Sequence, residues 1–176
     1  SEGWNYYDTL INIDKNDKIM ILASDNHLPS YPTRGNFLPD ASALALEKLS
    51  KSENGFFLMI EGGKLDYAAH EQDAVATFYE VREFAQAVQL ALDFAAQHPD
   101  ETLIVVTADH ETGAIKYKNN EYKFTSGSHS AANVPVAMAK VFNNMAAGRI
   151  WGSSDRRPAA PATVPWPEPR RYHEAA

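Results

Sequence analysis

The stretch Gly55–His70, GFFLMIEGGKLDYAAH, decides how this chain folds. GFFLMI (55–60) is apolar on both faces, which predicts a strand covered on both sides, as in a parallel sheet. It runs straight into Glu61, then Gly62 and Gly63, then Asp66 and His70. Glycines permit a tight backbone reversal. If the residues after the turn are helical, Asp66 and His70 at i, i+4 point the same way. A strand that ends on a carboxylate and returns as a helix carrying Asp and His fits an α/β fold. In such folds ligands gather at the carboxyl ends of strands.

The flanking sequence extends this pattern. IMILA (19–23) predicts a strand and SDNHLPSYPTRGNFLPD (24–40) a turn-rich loop. ASALALEKLSK (41–51) has apolar residues near a 3.6 period and predicts a helix. From Asp73 to Gln97, Val75, Phe78, Val81, Phe84, Ala85, Val88 and Leu92 recur every three or four residues. Asp73 is the expected N-cap and Pro99 the stop signal. TLIVVTA (102–108) and NVPVAMA (133–139) predict two further strands, and NNEYKF (119–124) a polar connection, with a hairpin as one option. Alternating strands and helices predict a mainly parallel sheet flanked by helices. Residues 152–176, GSSDRRPAAPATVPWPEPRRYHEAA, are proline-rich and lack periodicity, so a loosely tethered tail is expected there.

The 176 residues suffice for one domain with a core. The net charge of −7 argues against nucleic acid or an anionic membrane as a general partner. It leaves an anionic substrate open, because bound cations reverse the local field. There is no cysteine, hence no disulfide framework and no thiolate chemistry. No apolar run approaches the length of a membrane span. The first residues, SEGWNYYDTL, carry no basic-then-apolar leader pattern, and a mature form or a fragment is the expectation.

Three polar clusters accompany the apolar strands. Glu61, Asp66 and His70 follow GFFLMI, Asp109 and His110 follow TLIVVTA, and Ser126, Gly127, Ser128 and His129 precede NVPVA. Taken singly, each has an ordinary explanation. Asp66 and His70 suit a helix-surface pair worth a few tenths of a kcal/mol. Glu61 suits a solvated carboxylate, Asp109 a local turn cap, and His129 a surface imidazole. Taken together, three carboxylates and three imidazoles at strand ends suit Zn²⁺, or Mg²⁺ on the carboxylates. His27, His98 and His173 lack that setting, although His27 lies in a loop able to face the site.

These residues carry a resemblance. GFFLMIEGGKLDYAAHEQDA and IVVTADHETGA resemble the metal-binding segments of the alkaline phosphatase family, and SGSHSAANVPV resembles its later histidine segment. KIMILASDNHLPSYPTR is similar, more weakly, to the stretch preceding them. Ser130-Ala131 stands where that family usually has Thr-Gly. The resemblance spans about residues 18–137.

It implies that Asp66, His70 and His129 ligate one Zn²⁺, that Asp109 and His110 ligate a second, and that Glu61 ligates Mg²⁺. The implied cofactors are thus two Zn²⁺ and one Mg²⁺. The implied reaction is phosphate monoester hydrolysis through a phosphoserine, with paired metals clamping the attacking and leaving oxygens. No residue here matches the family's nucleophilic serine, its bridging aspartate or its phosphate-binding arginine. Residues 1–150 therefore read as the C-terminal portion of such a domain, with no catalytic residue assigned. Tyr67 stands where His, Lys or Trp is common, next to the ligand Asp66. A homodimer and a periplasmic or extracellular location are expectations from the resemblance alone. The alternatives are a phosphodiesterase or phosphomutase of the same superfamily, or a metal-binding fragment without activity.

Overall fold

The computed structural model describes residues 3–14 and 18–140. The tail expected at 151–176 lies outside them. Strand β1 (Trp4–Tyr7) pairs in parallel with β2 (Lys18–Ile21), in the register Trp4 with Lys18 and Tyr7 with Ile21. Three helices follow, α1 (Phe37–Leu49), α2 (Lys64–His70) and α3 (Ala74–Gln97). Then come β3 (Leu103–Thr107), β4 (Glu111–Thr112), β5 (Lys116–Lys118), β6 (Glu121–Lys123), β7 (His129–Ser130) and β8 (Val136–Lys140).

The architecture is α/β, but two sequence expectations are corrected. Among the described residues the strands form four separate two-stranded pairs, and only β1–β2 is parallel. GFFLMI is not a strand: residues 55–60 form no regular element, with Phe57 and Met59 largely exposed. A strand requires a neighbour to satisfy its backbone, and no described strand pairs with this segment. Apolar composition is therefore not enough to make a sheet.

The helices have local causes. α1 starts four residues before the expected point, taking in Pro39. Proline is tolerated there because first-turn N–H groups have no partner within the helix. Asp73 caps α3 as its sequence predicted, accepting from Val75 N and Ala76 N, both at 2.9 Å. His98 closes α3, its N–H reaching Phe94 O and Ala95 O, and its ring stacks on Phe94. The β5–β6 hairpin turns through Asn119 and Asn120, both at positive φ, as a two-residue hairpin of this hand requires.

The face that α3 buries is not the one its apolar periodicity predicted. Glu80, Glu83, Ala87 and Ala95 are buried, while Val75, Phe78, Val81 and Leu92 are exposed. α1 packs on the buried stripe. Two glutamates can line that stripe because Arg34 enters it and pairs with both. Glu80 Oε1 also accepts from Tyr31 N at 2.9 Å, and Glu83 Oε1 from Leu38 N at 3.3 Å. Glu83 thus satisfies a free N–H of α1, whose own cap residue Asn36 makes no side-chain bond. Buried charges persist only when paired in this way.

Candidate metal centre

Three chain segments bring ligand-type side chains together. α2 supplies Asp66 and His70 from one helical turn. The bend after β3 supplies Asp109 and His110, and β7 supplies His129. The antiparallel β3–β8 register explains the meeting. Thr107 pairs with Val136, so the chain enters β8 beside the carboxyl end of β3. The short β4–β7 pair then sets Thr112 opposite His129 and Glu111 opposite Ser130. Ser130 Oγ donates to Glu111 Oε2 across that pair at 2.5 Å.

The glycines at this corner sit in tight space. A Cβ on Gly62 would stand 3.0 Å from the Phe84 ring, so this residue lets α3 pack against the turn. Gly113 has φ +92°, and a Cβ there would lie 2.5 Å from Phe124 Cδ1. At Gly113 both the backbone conformation and the packing demand glycine.

The centre of the cluster is Asp66. Its Oδ2 lies 3.3 Å from His70 Nε2, and its Oδ1 lies 3.3 Å from His129 Nε2. The two Nε2 atoms are 2.9 Å apart. His110 stacks on His129 with ring centroids 3.7 Å apart. Ligand atoms of Asp66, His110 and His129 all lie within 4.8 Å of one another. Thr112 Oγ1 donates to Asp66 Oδ1 at 2.6 Å. His110 Nε2 lies 3.4 Å from Asp109 Oδ2.

Two features prepare these groups for a cation. His70 Nδ1 meets the Gly127 carbonyl oxygen at 2.8 Å. A carbonyl only accepts, so Nδ1 carries a proton and Nε2 is the nitrogen turned toward Asp66 and His129. Orientation of a ligating imidazole by a carbonyl on its other nitrogen is the usual support for a metal-binding histidine. Electrostatics agree. Burial acts to raise the Asp66 pKa, but the Thr112 hydrogen bond and the nearby His70, His129 and His110 outweigh it. Asp66 is therefore held below the usual carboxylate value, as an anion.

The donor set fits zinc. Zn–N bonds of 2.0–2.1 Å in a tetrahedron place two donors about 3.3 Å apart. Asp66 stands 3.3 Å from each imidazole, from His70 through Oδ2 and from His129 through Oδ1, so a small turn of the carboxylate selects the donor oxygen. The His70–His129 pair needs to open by only a few tenths of an ångström.

Not every expected residue joins. Asp109 is 89% exposed, and its described partners are the N–H and ring of His110. Glu61 is exposed in the turn before α2, and no described hydrogen bond or ion pair links it to the cluster. His27 bonds the Tyr67 hydroxyl through Nε2 at 2.8 Å, and Lys64 Nζ sits 4.3 Å over the Tyr67 ring. Sequence reasoning missed Thr112 and the Gly127 carbonyl. Thr112 lies two residues after His110, on the same face of an extended segment, and that spacing was the available signal.

The comparisons agree on one family. The alkaline phosphatase family model matches residues 4–163. Alkaline phosphatase 3 of Bacillus subtilis is 33% identical over 158 residues, which are 87% of this chain and 33% of that protein. The repressible alkaline phosphatase of Saccharomyces cerevisiae is 36% identical over 135 residues, covering 65% of this chain and 24% of that one. The structure of the alkaline phosphatase from the Antarctic bacterium TAB5 superposes with a TM-score of 0.71 at 31% identity. That match covers 79% of this chain and 45% of that chain. A variant of the TAB5 enzyme has been solved with Mg bound in its M3 site. The chain spans about a third of the length of the Bacillus relatives it matches.

Proposed function

The chain belongs to the alkaline phosphatase family, and we propose that it supplies the metal-holding part of a phosphomonoesterase site. One observation carries this reading. Asp66, His70 and His129, drawn from two distant segments, converge at 2.9–3.3 Å, with His70 Nδ1 tied to the Gly127 carbonyl and Nε2 turned into the cluster. In this reading Asp66, His70 and His129 hold one Zn²⁺, Asp109 and His110 a second, and Glu61 a Mg²⁺. When bound, such ions stabilise the charge on the attacking and leaving oxygens of an in-line phosphoryl displacement.

The chain's own residues do the rest of the work assigned to them. Gly127 fixes the His70 ring, Thr112 holds Asp66, and the β4–β7 pair keeps His129 beside His110. The substrate class is phosphate monoesters, and the nucleophile comes from sequence outside these residues. Residues 1–150 then act as the C-terminal portion of a longer domain and 151–176 as its tail. In that longer protein, a homodimer in this reading, a mainly parallel sheet covers the apolar faces left exposed at Phe57, Met59, Val75 and Phe78.

The test is a zinc titration by calorimetry on this chain and on His129→Ala, with hydrolysis of a chromogenic phosphomonoester at alkaline pH in Zn²⁺ and Mg²⁺. Zinc binding that His129→Ala weakens at least tenfold is expected. Binding indifferent to both His129→Ala and Asp66→Asn would overturn the ligand assignment. Turnover abolished by Asp109→Ala would show that this chain suffices for catalysis.

A further inference from the structure

Thr112, which no sequence motif singled out, touches two members of the cluster with one side chain. Its single hydroxyl contacts Asp66 Oδ1 at 2.6 Å and His110 Nδ1 at 3.1 Å, and its backbone pairs opposite His129. A hydroxyl has one proton to give. The Asp66 oxygen, an anionic acceptor at the shorter distance, takes it. The Thr112 oxygen must then accept at its other contact, so the proton on that side belongs to His110 Nδ1. In the neutral form of the ring the lone pair then lies at Nε2, on the side where Asp109 Oδ2 stands at 3.4 Å.

We propose that Thr112 is a positioning residue shared by two metal sites: its one hydroxyl orients Asp66, a ligand of the first ion, and His110, a ligand of the second. This rests on the ligand assignment above and adds a consequence to it. The hydrogen bonds run in one direction, from His110 Nδ1–H to Thr112 and from Thr112 to Asp66. Asp66 is thereby fixed with both oxygens aimed at histidine nitrogens, and His110 is fixed in the Nε2-ligating tautomer. The two sites share an orienting group before any ion arrives. A residue supporting one site alone would leave the other unaffected when removed.

Two measurements test this. The first uses the metal-free chain at a pH where the imidazoles are neutral. Two-bond ¹⁵N–¹H correlation spectra report which nitrogen of each histidine carries the proton. His110 is expected in the Nδ1–H form in the wild type and in Thr112→Ser, and to lose that preference in Thr112→Val. Wild-type His110 in the Nε2–H form would overturn the proposal, whether or not any variant folds.

The second is a calorimetric zinc titration of the same three proteins. Thr112→Val, which keeps the shape and removes the hydroxyl, is expected to weaken both zinc-binding steps by about 10–100-fold, and Thr112→Ser to restore both. Weakening of one step only, or failure of Thr112→Ser to restore, would overturn it. The parent reading fails separately: a wild type that binds no zinc sinks the ligand assignment, while the tautomer spectra still decide the direction of the Thr112 bonds.

Discussion

Replacing Arg34 with methionine should remove much of the stability of this fold. The guanidinium is 6% exposed, and its partners Glu80 and Glu83 are 3% and 0% exposed. Water therefore screens these charges little. Burial alone would lower the Arg34 pKa, but hydrogen bonds and attraction from Glu80 and Glu83 raise it above its ordinary value. Breaking a buried ion cluster by deleting one partner costs about 3–5 kcal/mol, because the remaining charges stay desolvated. Here two carboxylates would be left facing each other, supported only by the N–H groups of Tyr31 and Leu38.

With a urea slope of about 2 kcal/mol/M, the unfolding midpoint should fall by roughly 1.5–2.5 M at constant slope. Circular dichroism at 222 nm follows this directly, since the cluster joins α1 to α3, the two longest helices described. Arg34→Lys keeps the charge without the bidentate fork and should fall between wild type and Arg34→Met. Replacing all three residues together, Arg34→Met with Glu80→Leu and Glu83→Leu, should recover most of the loss, because no unpaired charge remains. A midpoint shift under 0.5 M for Arg34→Met would refute the account of the α1–α3 interface.

Three further outcomes are expected. Asp73→Ala should cost about 1 kcal/mol in thermal or chemical unfolding, since two N–H groups of α3 lose their acceptor. Gly113→Ala should cost about 1–3 kcal/mol, because alanine disfavours positive φ and its methyl would press into Phe124; a neutral result would mean that the β4 corner relaxes freely. The third concerns acid stability without metal. The Asp66 pKa is lower in the folded chain than its ordinary 3.8, so its contribution is present above that value and lost as pH falls through the folded value. Asp66→Asn should therefore flatten the acid limb of stability below about pH 4, and an unchanged limb would show that neither the Thr112 hydrogen bond nor the imidazoles act on it.

Much of the candidate site was legible locally. Asp66 and His70 needed only a helical turn to point together, and α2 provides it. Asp109 and His110 needed only to follow a strand, and β3 ends two residues before Asp109. The Asp73 cap and the Asn119-Asn120 hairpin follow from side-chain and backbone preferences acting within a few residues. What failed was reasoning that assumed a partner. GFFLMI was apolar enough for a strand, yet strand structure is a property of pairs and nothing described pairs with it. The Val75–Leu92 stripe had the right period, yet α1 packs on the neighbouring stripe of Glu80, Glu83 and Ala87.

The sequence by itself determined the ligand types, the turns that present them and the family to which they belong. Those are consequences of short-range geometry and residue chemistry. Only the tertiary structure decided which groups meet. The β3–β8 register brings His129 across to Asp66, the Gly127 carbonyl selects the His70 tautomer, and Thr112 joins Asp66 to His110. Apart from Thr112–His110, these contacts link residues 46 to 63 positions apart. Sequence spacing cannot encode such distances, because they depend on how independently formed elements pack.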